Sequence, residues 1–105
     1  MMKYIRESLT FRPIAFIEGD YVNKVIGQDF RNISIDRSAG FVYSSAKPVA
    51  QVEGDRIISL DRQRAVALIE GNVVRDIDNQ FERYEVDDDC TDLEKAALFI
   101  CAHSY

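Results

Sequence analysis

The sequence predicts a mainly β domain of repeated antiparallel β-hairpins, closed or nearly closed into a flower- or barrel-like arrangement and finished by one C-terminal α-helix. Three observations carry this prediction. Three 17-residue segments align without gaps, each is centred on Gly followed by Asp or Asn, and the apolar spacing turns from strand-like to helix-like after an acidic run. Self-similarity at a fixed period marks one supersecondary unit copied several times.

The aligned segments are RPIAFIEGDYVNKVIGQ from Arg12, KPVAQVEGDRIISLDRQ from Lys47 and RAVALIEGNVVRDIDNQ from Arg64, the last two directly adjacent. Gly19 with Asp20, Gly54 with Asp55 and Gly71 with Asn72 are pairs that accept the positive φ of tight hairpin turns. Before each turn, Ala15 and Ile17, Ala50 and Val52, and Ala67 and Ile69 alternate onto one face, and Val22, Ile57 and Val74 resume the pattern after it. The small Ala implies a crowded position near an axis. Beyond the turn the apolar spacing becomes three, Val22 to Val25, Ile57 to Leu60 and Val74 to Ile77, which predicts a bulge or strand end.

An aliphatic residue followed by an acid precedes each turn, at Ile17 with Glu18, Ile35 with Asp36, Val52 with Glu53, Ile69 with Glu70 and Val86 with Asp87. The steps between these marks are 18, 17, 17 and 17 residues, so residues 29–46 read as a degenerate copy with a longer turn over 37–40. FERYEV, residues 81–86, reads as one more first strand without a following partner. KYIRES, residues 3–8, sits where a second strand belongs, with Tyr4 and Ile5 matching Tyr21 and Val22. Pairing of the last strand with the first closes the meander and removes both outer edges.

After Asp87, Asp88 and Asp89 the pattern becomes helical. Thr91 and Glu94 form a capping box, and Leu93, Ala97, Ile100 and Cys101 share one face of a helix over Asp92–His103. Asp92 and Glu94 in its first turn suit the macrodipole. Leu98 and Phe99 fall on other sectors of the helix, so it is expected to be buried on more than one side, within the chain or against a second subunit. They are the interface candidates of an expected homodimer.

The repeated units PIAFIEGDYV and PVAQVEGDRI resemble the four-fold β-flower domain of small bacterial proteins over residues 3–86. The resemblance implies a fold and no established activity. The copy at 29–46 departs from the family pattern, and five acid marks stand where a four-fold name implies four.

At 105 residues the chain suits one domain, and its 47% hydrophobic and 30% charged residues are ordinary for a soluble core. A net charge of -5 without a run of Lys and Arg opposes a nucleic-acid partner. The longest apolar stretch, residues 96–102, is far short of the roughly 20 residues that span a bilayer, so no membrane role and a cytoplasmic location are expected. Cys90 and Cys101 read as free thiols.

Candidate chemistry is sparse. His103 is the sole histidine, placed near the helix end, where a cation or a satisfied core imidazole needs no function. The repeat would gather Glu18, Asp36, Glu53, Glu70 and Asp87 into a ring at one end, a set of oxygens that suits a hard cation, against the plain reading that hairpin flanks are polar. DIDNQ from Asp76 and DDDCTD from Asp87 lack the glycine and glutamate of an EF-hand and are expected to solvate a turn and start a helix. The turn glycines Gly19, Gly54 and Gly71 form no phosphate cradle. Tyr4, Tyr21, Tyr43, Tyr84 and Tyr105, with Phe11, Phe16, Phe30, Phe41 and Phe81, read as core and cross-strand pairs before they read as a ligand cleft. The expectation is a non-catalytic interaction or assembly module without a cofactor, self-associating or meeting another protein. The alternative is a small-molecule or cation-binding domain using the acid-rich hairpin ends, and an enzyme without a motif comes third.

Overall fold

Each Gly with Asp or Asn closes a two-residue antiparallel hairpin, because Gly19, Gly54 and Gly71 take φ of 64°, 63° and 62°. The flanking residues Glu18 and Tyr21, Glu53 and Arg56, and Glu70 and Val73 face each other across these turns. The computed structural model describes residues 2–27, 31–79 and 81–103. Gln28, Asp29, Phe30, Gln80 and Tyr105, which figure in the readings above, lie outside the described residues.

Among the described residues the chain forms strands β1 (Lys3–Glu7), β2 (Pro13–Glu18), β3 (Tyr21–Lys24), β4 (Ile33–Asp36), β5 (Phe41–Ser44), β6 (Lys47–Glu53), β7 (Arg56–Ser59), β8 (Arg64–Glu70), β9 (Val73–Asp76) and β10 (Arg83–Val86). One helix, α1 (Asp92–His103), follows. The strands close into an all-antiparallel barrel in the order β1-β10-β9-β8-β7-β6-β5-β4-β3-β2. Strand β10 supplies the first arm of a fifth hairpin and β1 its second arm, from the two ends of the chain. Ile5 pairs with Val86 as Val22 pairs with Ile17.

The repeat is equally regular in its backbone. Val25, Leu60 and Ile77 donate to the carbonyls of Ile14, Val49 and Val66 just past the ends of β3, β7 and β9, and the register shifts between Ile57 and Ile58. Both the strand ends and the bulge expected from the spacing of three are present. The degenerate copy also folds as read, with a turn over 37–40 between β4 and β5. The seam before it is short: among the described residues Tyr21 and Ser34 are the only register pair joining β3 to β4.

Helix α1 runs inside the barrel, against the wall made by β1 to β6. Every residue from Glu94 to Cys101 is buried, so no side of this stretch faces solvent. Leu98 and Phe99 are 0% exposed in a single chain. That corrects their reading as interface residues, since the barrel fills the sectors that seemed to call for a second subunit. Ala15 and Ala50, on β2 and β6, are completely buried beneath the helix, which is the crowding their size implied. No helix among the described residues is long and apolar enough to cross a membrane.

Candidate functional site

The two mouths of the barrel differ in chemistry. The helix enters at the mouth carrying the glycine turns, where its capping box forms in both directions: Glu94 N donates to Thr91 Oγ1 at 3.2 Å, and Thr91 N to Glu94 Oε1 at 2.8 Å. Lys3 and Arg37 add ion pairs to Glu94, each at 3.0 Å, and Lys95 Nζ donates to the Gly71 carbonyl at 2.7 Å. Burial pushes the Glu94 carboxyl up, but donors from Thr91, Lys3 and Arg37 outweigh it and hold it below the usual range. This mouth is an anchor for the helix.

The five acids expected to form a ring sit at this same mouth without converging. Asp36 accepts from Ser38 Oγ and Ala39 N inside its own turn, and these donors hold its carboxyl low. Glu70 pairs with Arg75, and Asp87 pairs with Arg6 while accepting from Tyr4 N. Glu18 and Glu53 are exposed. None of the five belongs to the one group of described residues with metal-ligand spacing. Both cysteines are free and buried, and burial together with Glu94, Asp87 and Asp89 pushes the Cys90 thiol up to about 11, away from nucleophilic chemistry.

That group is Asp76, Glu82 and His103, at the opposite mouth where α1 ends. Arg31 donates to the carbonyls of Ile100 and Cys101 there, at 3.0 and 2.7 Å, and so closes the last helical turn. The His103 ring stacks on Phe99, with centroids 5.2 Å apart and planes inclined by 9°. Its Nε2 lies 2.7 Å from Asp76 Oδ2, and its Nδ1 meets the Tyr84 hydroxyl at 3.1 Å. Glu82 Oε2 comes within 2.9 Å of the same Nδ1 but makes no hydrogen bond, although the atom is buried. Asp76 is 2% exposed and its other oxygen accepts from Asp78 N at 2.9 Å.

Asp76 was expected to solvate a turn, and the structure corrects this. Strand β9 carries it inward opposite Ala67, the place that Lys24 and Ser59 hold opposite Ala15 and Ala50. Tyr84 likewise stands on β10 where the aligned copies have Ala15, Ala50 and Ala67. An acid at a variable repeat position and one departure from the repeat thus meet at the one histidine. That was the available signal.

Beside this cluster a cleft of about 760 Å³ opens between the β1–β2 and β9–β10 loops, lined by Leu9, Ile14, Phe81, Glu82, Tyr84 and Ala102 among others. Ser8 N donates to the Arg83 carbonyl at 3.2 Å and holds the two loops together. Phe81 is 93% and Leu9 87% exposed. No family model, curated protein or solved structure matches this chain. The aromatics divide accordingly: Tyr4 with Phe16 is a cross-strand pair at 5.6 Å and Tyr84 with Phe99 a core pair at 5.9 Å, whereas Phe81 is a surface group.

Proposed function

We propose that this chain is a non-catalytic assembly module that pairs with a second copy of itself through the mouth where α1 ends. The observation that carries the reading is the exposure of Phe81 and Leu9 on one cleft. An apolar group that protrudes beside a concave apolar floor is unfavourable in water and marks an interaction site. The helix is enclosed, so it offers no contact surface, and barrel closure pairs most strand edges, so loop side chains remain.

Self-complementarity favours a second copy over an unrelated partner. The cleft carries Glu7 and Glu82 together with Arg12 and Arg83, equal numbers of opposite charges around an apolar centre. A two-fold contact presents the same patch twice, which suits a surface that supplies both the protruding ring and the hollow, both the acid and the base. The resemblance to the β-flower domain brings no activity to set against this. A reducing, cytoplasmic setting accords with two buried free thiols.

Sedimentation velocity at micromolar concentration tests the reading. The native chain is expected to sediment as a dimer and the doubly substituted Leu9→Ser, Phe81→Ser chain as a folded monomer, since exposed apolar anchors dominate such contacts. A monomeric native chain, or a double variant that stays dimeric, overturns it.

A further inference from the structure

We propose that Asp76, Glu82 and His103 form a binding site for one divalent transition-metal ion of the Zn²⁺ type. Each offers a ligand atom within 4.8 Å of the others. One imidazole nitrogen and two carboxylate oxygens make a mixed donor set that suits Zn²⁺ and its neighbours, whereas Ca²⁺ takes about six to eight oxygens. The site differs from the ring of hairpin acids and lies at the other end of the barrel.

Four features of the cluster point to a cation. Two carboxylates face a single imidazole, and Glu82 Oε2 is buried without a hydrogen bond although it stands 2.9 Å from His103 Nδ1, a deficit that a cation among the three groups removes. The supports of the ligands are in place: Asp78 N fixes Asp76 Oδ1, Tyr84 holds Nδ1, and Phe99 sets the plane of the ring. This leaves Asp76 Oδ2 and His103 Nε2 directed at each other at 2.7 Å, a hydrogen-bond separation that must widen to roughly 3.3 Å for both to hold one ion, with the second ring nitrogen held by a neighbour. Glu82 keeps 43% of its side chain exposed and lines the cleft, so the site has an entry path and an open position for water or a ligand. The scaffold itself does not require the buried acid, because Lys24 and Ser59 serve the same repeat position.

The competing arrangement is a proton in place of the metal, with an imidazolium clamped between carboxylates to lock the helix end. Calorimetric titration with Zn²⁺ on untagged protein separates the two, run on the native chain and on the Leu9→Ser, Phe81→Ser chain so that the outcome is independent of assembly. One equivalent of Zn²⁺ is expected to bind both and to raise their melting temperatures, with Ca²⁺ binding at least about tenfold more weakly. Glu82→Gln removes a ligand charge without breaking a protein hydrogen bond, and it should weaken Zn²⁺ about tenfold or more, as should His103→Gln. Asp61→Asn makes the same charge change outside the site, at an exposed side chain paired with Lys47, and should leave Zn²⁺ affinity unchanged. Because His103 is the only histidine, nitrogen NMR of its ring reports directly. Loss of the Nε2 proton on adding Zn²⁺ supports the site. No binding, equal affinity in native, Glu82→Gln and His103→Gln chains, or a ring that keeps both protons in Zn²⁺ overturns it.

Discussion

Lys3 Nζ lies 3.0 Å from Glu94 Oε1 across 91 residues of chain, and so ties the first strand of the barrel to the first turn of the helix inside it. The shifts of the two groups are opposite in sign, and both favour the charged pair. The Glu94 hydrogen bond raises the Lys3 ammonium, and donors hold the Glu94 carboxyl down against its burial, so both are charged at neutral pH. Arg37 extends the link to the β2–β3 turn through Asp20 at 2.8 Å. The carboxylate is 2% exposed while its two cations are far more open, which leaves Glu94 as the group whose loss matters most.

Glu94→Ala is therefore expected to destabilise the fold by roughly 3 kcal/mol, toward the low end for a broken buried pair because Lys3 and Arg37 regain water. The native chain should also lose stability in acid. A carboxyl with a lowered folded pKa contributes above its unfolded value, near the ordinary 4.5, and that contribution disappears as pH falls through the folded value. Asp36 and Asp78, also held low, act in the same window. Urea midpoints taken from neutral pH to about pH 2 should be flat and then fall, and less steeply in Glu94→Gln. An identical acid limb in the variant would show that Glu94 is not the linked group.

Gly54 and Gly71 offer a test of the hairpin turns free of packing effects. An added Cβ meets nothing within 4 Å at either site, while φ stands at 63° and 62°. Val at either position should cost about 1 to 2 kcal/mol through backbone strain alone, and Asn, which tolerates this conformation, much less. Chemical denaturation of the four single variants checks the order. Equal midpoints for Val and Asn would refute the strain account.

The hairpins and the capped helix were legible because their determinants are local: Gly with Asp or Asn at a turn, alternation before it, Thr91 with Glu94 at a helix start. Placement of the helix inside the barrel was not, since a stripe of Leu93, Ala97, Ile100 and Cys101 describes a helix lying on a sheet equally well. The unbroken apolar run from Ala96 to Cys101 held the answer, because a helix apolar on every side must be enclosed. The hairpin acids drew attention by repeating, yet a repeated position is first a demand of the scaffold. Tyr84 breaks the repeat and Asp76 fills a position that varies between copies, and only folding shows that both reach His103.

The β3–β4 seam should be the first part of the barrel to open. Among the described residues a single register pair, Tyr21 with Ser34, joins these strands, whereas β7 and β8 share four between Ser59 and Arg56 and their partners. The pair that remains keeps the register of the other copies, Tyr21 with Ser34 as Arg56 with Leu68, so the seam is shorter and not displaced. Native-state hydrogen exchange is expected to show amides of β3 exchanging at least about tenfold faster than those at matching positions of β7, a local opening lower by roughly 1.4 kcal/mol. Uniform protection around the barrel would contradict this.

Phe99 supplies the sharpest distinction between a helix that belongs to the core and one that belongs to an interface. Its ring is wholly enclosed, with Tyr84 edge-on at 75° and His103 stacked on its face. Replacing it with Ala removes a buried aromatic from a closed barrel whose wall cannot collapse onto the gap, so a loss of about 3 to 5 kcal/mol is expected. Association should not change under conditions where the variant remains folded, because the contact assigned here uses Leu9 and Phe81 at the rim. Thermal melts followed by circular dichroism give the first quantity and sedimentation the second. A Phe99→Ala chain as stable as the native protein but unable to associate would return the helix to the interface and remove it from the core.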